Sequence, residues 1–149
     1  RRVLFRSGSI AEVDEQLYEA AKDDKLVQAL TKCRGVGFYS AVVIRAEIGT
    51  FTRFRTGKQL ARFCGVSPRN CSSGERQADA GMIKAGNALL KTVIVETAHT
   101  LIRHDANWNA FAARLKANGK PYCVIVGAVA NRWIRRLFHE ALLVERSQT

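Results

Sequence analysis

A serine pair followed by glycine, Ser72-Ser73-Gly74, stands between Arg69 and Arg76. A serine hydroxyl is a poor nucleophile at its own pKa and needs a base or a strongly stabilised transition state. Guanidinium groups meet the second need by neutralising the crowded oxygens of a phosphorus centre under attack. The chemistry this segment could do is therefore attack on a phosphodiester, with Ser73 or Ser72 as nucleophile and Arg69 and Arg76 as anion-holding groups. On residue chemistry alone, a serine pair before glycine more often makes a turn, and both readings stand at this level.

Three other places carry groups suited to an anion. In Lys32-Cys33-Arg34-Gly35-Val36-Gly37 a glycine turn separates two apolar stretches, the pattern of a helix-hairpin-helix-like element. Gly35 and Gly37 would let the backbone approach a phosphate at the next helix's N-terminus, with Lys32 and Arg34 as flanking charges. Such contacts position DNA without reading its sequence; a tight helix connection with no ligand is the plain alternative. Lys84 precedes a long apolar segment and would sit at its positive end, or be an ordinary solvated lysine. Arg132, Arg135 and Arg136 are three and four residues apart, so on a helix they share one face, wet or nucleic-acid-bound. His99, His104 and His139 form no metal-binding or triad spacing.

The elements that would position these groups are mostly helices. Apolar residues at Val13, Leu17 and Ala20 or Ala21 predict an amphipathic helix over residues 10–21. Asp23 or Asp24 is placed to cap a second, short helix over Leu26, Val27 and Leu30. A third should run over 38–48 and stop at Gly49, and a fourth over 58–64 after Thr56. Residues 66–86 hold Pro68, Asn70, both serines, Gly74, Gly81 and Gly86. They predict an irregular serine-containing loop, in which short extended stretches have room. Helices over 87–102, from Asp105 to about Asn118, and over 122–144 after Pro121 complete a compact, mostly α multi-helix domain.

Composition bounds the rest. The 149 residues suffice for one domain with a real core. Twenty-four Lys and Arg against thirteen Asp and Glu give a net charge of +11, a field suited to a polyanion, most often nucleic acid. Cys33, Cys64, Cys71 and Cys123 form no C-x-x-C pair. A metal site is therefore not expected, and Cys33, Cys64 and Cys123 read as reduced, core-type thiols of a cytosolic protein. No apolar run is long enough for a membrane span. Residues 1–9 fit no repeating pattern. Val3-Leu4-Phe5-Arg6-Ser7 is also what the end of a sequencing adapter would encode, so this stretch is expected to be a suspect or disordered leader, with the native N-terminus missing; a basic arm in contact with phosphates is the alternative.

Several blocks, in order, resemble one family. They are Gly35-Val36-Gly37 with Ala46-Glu47-Ile48-Gly49; Lys58-Gln59-Leu60-Ala61 running to Gly65-Val66-Ser67-Pro68; Ser73-Gly74; Gly81-Met82-Ile83-Lys84-Ala85-Gly86-Asn87; and a closing helix over 120–142. The chain is similar, over residues 10–145, to the insertion-sequence transposases of the IS-one-ten group and its eleven-eleven branch. It departs where Ile83-Lys84-Ala85-Gly86 replaces the usual S-K-R-G, where Leu90-Lys91 replaces L-R, and in having no proline before Gly35.

The resemblance implies a C-terminal transposase domain over 10–145. Its parts would be the helix-hairpin-helix-like element at about 26–49, the serine loop at about 66–86 and a helical remainder at about 87–145. It implies DNA transposition and recombination by a mobile genetic element, and a bacterial or archaeal, nucleoid-associated, cytoplasmic location. It also implies a serine, matching Ser73 with Ser72 as its rival, that forms a phosphoserine link to DNA. An N-terminal RNase H-like domain would hold Mg²⁺, so this region alone is expected to be inactive and to carry no cofactor. DNA, a structured bridge RNA and further copies of the chain are the partners it implies.

Overall fold

A computed structural model describes the backbone of residues 2–73, 76–82 and 86–147, and side chains at 9–68, 81–82 and 86–147. Seven α-helices, one 3₁₀ turn and a two-stranded ribbon follow in the order α1 (Arg2–Ala21), α2 (Lys25–Lys32), α3 (Phe38–Ile48), η1 (Phe51–Arg53), α4 (Gly57–Phe63), β1 (Pro68–Ser73), β2 (Arg76–Met82), α5 (Ala88–His104), α6 (Ala106–Ala117) and α7 (Tyr122–Arg146).

The spine is α7. Ile125, Val126, Val129, Ala130, Trp133, Ile134, Leu137, Phe138 and Ala141 are buried on it, in alternating steps of one and three residues. Those steps hold one helical stripe against the core. That stripe receives α2, α4, α5 and α6. Along α5, Leu90, Val93, Ile94, Ala98 and Leu101 are buried as well, and the buried hydroxyl of Thr97 donates to the Val93 carbonyl at 2.9 Å. No buried polar side-chain atom among the described residues lacks a hydrogen-bond partner.

Short polar residues start the helices as their sequence positions predict. Asp24 accepts from the amides of Leu26 at 2.8 Å and Val27 at 3.2 Å. Thr56 accepts from Gln59 at 3.2 Å. Asn87 accepts from Leu89 at 2.9 Å and Leu90 at 3.1 Å, and Asp105 from Asn107 at 2.9 Å. Each cap satisfies amides that the first helical turn leaves without partners.

Three expectations change. The helix expected over residues 10–21 starts earlier, with α1 running from Arg2 to Ala21. The apolar stripe of that helix is mostly solvent-facing, with Ile10 and Val13 each 60% exposed. It meets the body near its end, where the Tyr18 ring is tilted against Phe38 at 5.2 Å and Ala21 packs against the core. Cys123 is exposed rather than in the core, because the buried stripe of α7 begins two residues later at Ile125.

The third change concerns the serine segment, where the expected irregular loop is an antiparallel ribbon. Its register pairs Ser73 with Arg76, Ser72 with Gln77, Cys71 with Ala78 and Asn70 with Asp79, with an irregularity between Pro68 and Asn70. Ser, Asn, Gln, Ala and Asp have weak strand propensity, and the alternation of Ala78, Ala80 and Met82 in β2 has no counterpart in β1, so pairing more than composition sets the conformation.

Candidate nucleic-acid interface

The ribbon carries both serines at its far end and is fastened at its foot. Val66 and Ser67 lead into it, and the Asn131 amide of α7 donates to the Val66 carbonyl at 3.1 Å and reaches the Ser67 hydroxyl at 3.5 Å. On the returning strand, Met82 lies beside Gly127 of α7, where a Cβ would stand 3.5 Å from its sulfur. The two ends meet at Gly65 and Gly86. A Cβ on Gly86 would lie 3.1 Å from the Gly65 Cα and 3.2 Å from the Phe63 carbonyl oxygen, and Gly86 has a φ of 139°. Left-handed backbone and close approach both require glycine there. An isolated two-stranded hairpin is marginal in water, so these fastenings hold the serine-bearing arm to the helical body.

At the tip, Ser73 and Arg76 are direct cross-strand partners, while Ser72 pairs with Gln77. The two serines thus hold successive register positions opposite different partners. Ser73 shares its register position with a cation; Ser72 does not. The side chains of Arg69, Ser72, Ser73 and Arg76 lie outside the described ones, and Lys84 lies outside the described residues altogether.

Behind the ribbon, one side chain joins two of the sequence blocks. Asn87, while capping α5, also donates through its amide to the Glu47 carboxylate of α3. Glu145 near the end of α7 accepts from the amides of Phe51 at 2.9 Å and Thr52 at 3.0 Å, which fixes η1. Neither link has a periodic signal in the sequence; both depend on residues 40 or more positions apart meeting in space.

The α2–α3 turn is the second candidate region. Lys32 is exposed at the end of α2, and Gly35 has a φ of 84° with its Cα turned to Leu101 and Thr97 of α5. Gly37 is the N-cap of α3 with ordinary extended backbone, and a Cβ there would meet nothing within 4 Å. Arg34 has an internal task besides its charge: it donates to the His104 carbonyl at 2.7 Å and lies 3.9 Å from the Asp105 carboxylate, though it is still 65% exposed. Asp24 receives the Arg45 guanidinium at 2.8 Å. Burial pushes the Asp24 carboxyl up, but the hydrogen bonds from Arg45 and from the amides of Val27 and Leu26 outweigh it and hold the group below its ordinary value.

On α7, Arg132, Arg135 and Arg136 are all exposed on one side of the helix. Arg132 stacks over the Phe111 ring at 4.9 Å, and Arg136 pairs with Glu140 at 3.1 Å. Arg135 stands beside the start of α4, where its backbone packs against Gly57. His99 meets the Tyr122 hydroxyl at 2.9 Å. Cys64 is fully buried at the foot of the ribbon; burial drives its thiol up to about 12, with Arg53 pulling weakly the other way. Among the described residues no three His, Cys, Asp or Glu side chains stand together as a metal site. No helix among them is long and apolar enough to cross a membrane.

Comparison with known proteins places these features. The sequence profile described as the transposase IS116/IS110/IS902 family matches residues 27–113, which span α2 to α6 and include the ribbon. The chain is 33% identical over 105 residues to the transposase for insertion sequence element IS1111A of Coxiella burnetii, covering 70% of this chain and 29% of that protein. With a probable family 20 transposase of Pseudomonas aeruginosa it shares 30% identity over 132 residues, 87% of this chain and 39% of the relative. An uncharacterized insertion element IS110 protein of Streptomyces coelicolor is 27% identical over 126 residues, 85% and 31% of the two chains. The chain thus spans between 29% and 39% of the length of these relatives.

Proposed function

Because the chain belongs to the IS116/IS110/IS902 transposase family, we propose that it is the serine-bearing region of a DNA transposase, which holds a DNA strand and presents Ser73 to a phosphodiester. The observation that carries this reading is the ribbon: a fastened arm whose tip pairs Ser73 with Arg76 across the strands. In the proposed step the Ser73 oxygen bonds to phosphorus while the bond from phosphorus to a deoxyribose oxygen breaks. The serine proton is taken by a base and the departing oxygen is protonated, so one phosphodiester is exchanged for another. Arg76 and Arg69 would neutralise the charge that gathers on the phosphoryl oxygens. The α2–α3 turn, read as a helix-hairpin-helix-like element, would hold backbone phosphates through Lys32 and the amides around Gly37.

An Mg²⁺-dependent step belongs, in this reading, to an RNase H-like domain elsewhere in the whole protein, so this region alone is inactive in strand exchange. A structured bridge RNA and further copies of the chain complete the assembly we envisage. The test joins the region to its native upstream sequence and guide RNA, supplies donor and target DNA, and detects a covalent protein–DNA adduct on denaturing gels. Ser73→Ala should abolish the adduct and Ser72→Ala should leave most of it. An adduct undiminished in Ser73→Ala removes the nucleophile, and one lost in Ser72→Ala alone moves it by one residue. Adduct-free binding in every variant would reduce the region to a non-catalytic DNA- or RNA-binding module.

A further inference from the structure

From Glu47 to Glu75 the chain has no acidic residue between, yet it carries Arg53, Arg55, Lys58, Arg62 and Arg69. The first four lie on η1, α4 and the link between them, and all four are exposed. The ion pairs among described residues join Lys22 to Glu19, Arg34 to Asp105, Arg45 to Asp24 and Arg136 to Glu140. None uses a cation of this segment. The Glu145 carboxylate, which meets η1, is engaged with the amides of Phe51 and Thr52.

The surface has built-in order. Gly57, Leu60 and Ala61 face inward on α4, which leaves Lys58 and Arg62, one turn apart, together on its outer side. Arg53 is held between two rings, with its guanidinium carbon 4.7 Å from the centre of Phe54 and 4.6 Å from that of Phe63. Phe54 is buried, whereas Phe63 is 37% exposed and is the last residue of α4. A stacked guanidinium keeps its in-plane donors directed outward and has less freedom left to lose on binding. Arg135 of α7 adjoins the same surface beside Gly57.

This surface runs into the foot of the ribbon. The Phe63 ring carries Arg53, and the Phe63 carbonyl is the group against which Gly86 closes. We propose that η1 and α4 form a docking track for the phosphodiester backbone of the DNA strand that reaches the serine ribbon, with Arg53, Lys58 and Arg62 as its phosphate contacts and the Phe54–Phe63 pair as the shelf that aims Arg53. The proposal rests on the reading of the chain as a DNA-handling transposase region. It adds where the strand lies before it meets the tip. The chemistry favours a phosphodiester polyanion because the track offers several exposed cations that join no ion pair among the described residues and a planar donor fork, with the exposed ring already covered by a guanidinium.

The test measures binding of the 149-residue chain to a duplex DNA oligonucleotide across a salt series. Each phosphate contact released lowers the slope of log affinity against log salt by about 0.9. Lys58→Ala/Arg62→Ala should therefore flatten the slope by about 2, with unchanged circular dichroism and melting temperature. Lys116→Ala/Lys120→Ala removes the same charge from α6 and its exit and should leave the slope near that of the parent. Arg53→Lys keeps the charge but loses the stacked fork; it should weaken binding several-fold with little change in slope, and Phe63→Leu should do the same. Equal flattening by the two double variants, or none by the first, overturns the track. So does flattening on an RNA duplex alone. Arg53→Lys binding like the parent removes the shelf. A parent chain that binds no DNA at any salt instead fails the underlying reading.

Discussion

Gly86 stands one residue before the N-cap of α5, and Gly37 is itself the N-cap of α3, so the two glycines occupy nearly matching places at helix starts. Their surroundings differ completely. Around Gly86 the space is filled by the chain's own backbone at Gly65 and Phe63, and its φ of 139° is one that side chains rarely adopt. Around Gly37 there is ordinary extended backbone and open space. Glycine at 86 is explained from inside the molecule. At 37 nothing internal asks for it, since a Cβ there would meet nothing within 4 Å.

The strongest way to break this comparison is Gly86→Ala. Left-handed strain and backbone overpacking together should cost about 3 kcal/mol, read as a lower denaturation midpoint in urea. A loss below about 0.5 kcal/mol, the range of plain surface changes, would mean the foot of the ribbon is loose.

Next comes Asp24, which holds the α2–α3 region in place of any packing at Gly37. Asp24→Ala removes a cap and the Arg45 partner and should cost about 1 kcal/mol. The carboxyl is held below its ordinary value of 3.8. A depressed folded-state value means that its contribution is complete above the unfolded pKa and is lost as pH falls through the folded one. The parent should therefore lose stability below about pH 4, and Asp24→Asn should show a flatter profile in that window when melting temperature is followed against pH.

The smallest effect on stability is expected at Gly37. Gly37→Ala should stay within about 0.5 kcal/mol of the parent, because the added carbon meets nothing. If the turn approaches DNA closely, the same variant should nonetheless bind DNA more weakly in a salt titration. A variant both stable and fully competent in binding would sever Gly37 from the interface and leave the comparison purely structural.

Much of the helical frame is legible in the sequence, for a local reason. Asp24, Thr56, Asn87 and Asp105 each cap the helix that follows, and Gly49 and Asn118 close helices where the apolar period ends. The amphipathic pattern over 10–21 also predicts a helix, but not that Ile10 and Val13 would face solvent. Period reveals which face is apolar and not whether anything covers it. Short extended stretches had room within 66–86, but their pairing into a ribbon was not legible, because β1 is largely polar and only Ala78, Ala80 and Met82 of β2 alternate. Of the candidate site, the residue types were readable, but the pairing of Ser73 with Arg76 was not.

By itself, then, the sequence determined helix starts and stops, the basic character and the family blocks with their serine pair, since capping, periodicity and composition are properties of neighbours along the chain. Tertiary structure decided how those blocks meet. It placed Asn87 on Glu47, Gly86 on Gly65, Asn131 under the entry to the ribbon, and Arg53 between two rings beside its foot. Each of those links closes a gap in sequence by packing several helices around α7, and contacts that depend on such packing leave no trace in the spacing of any one segment.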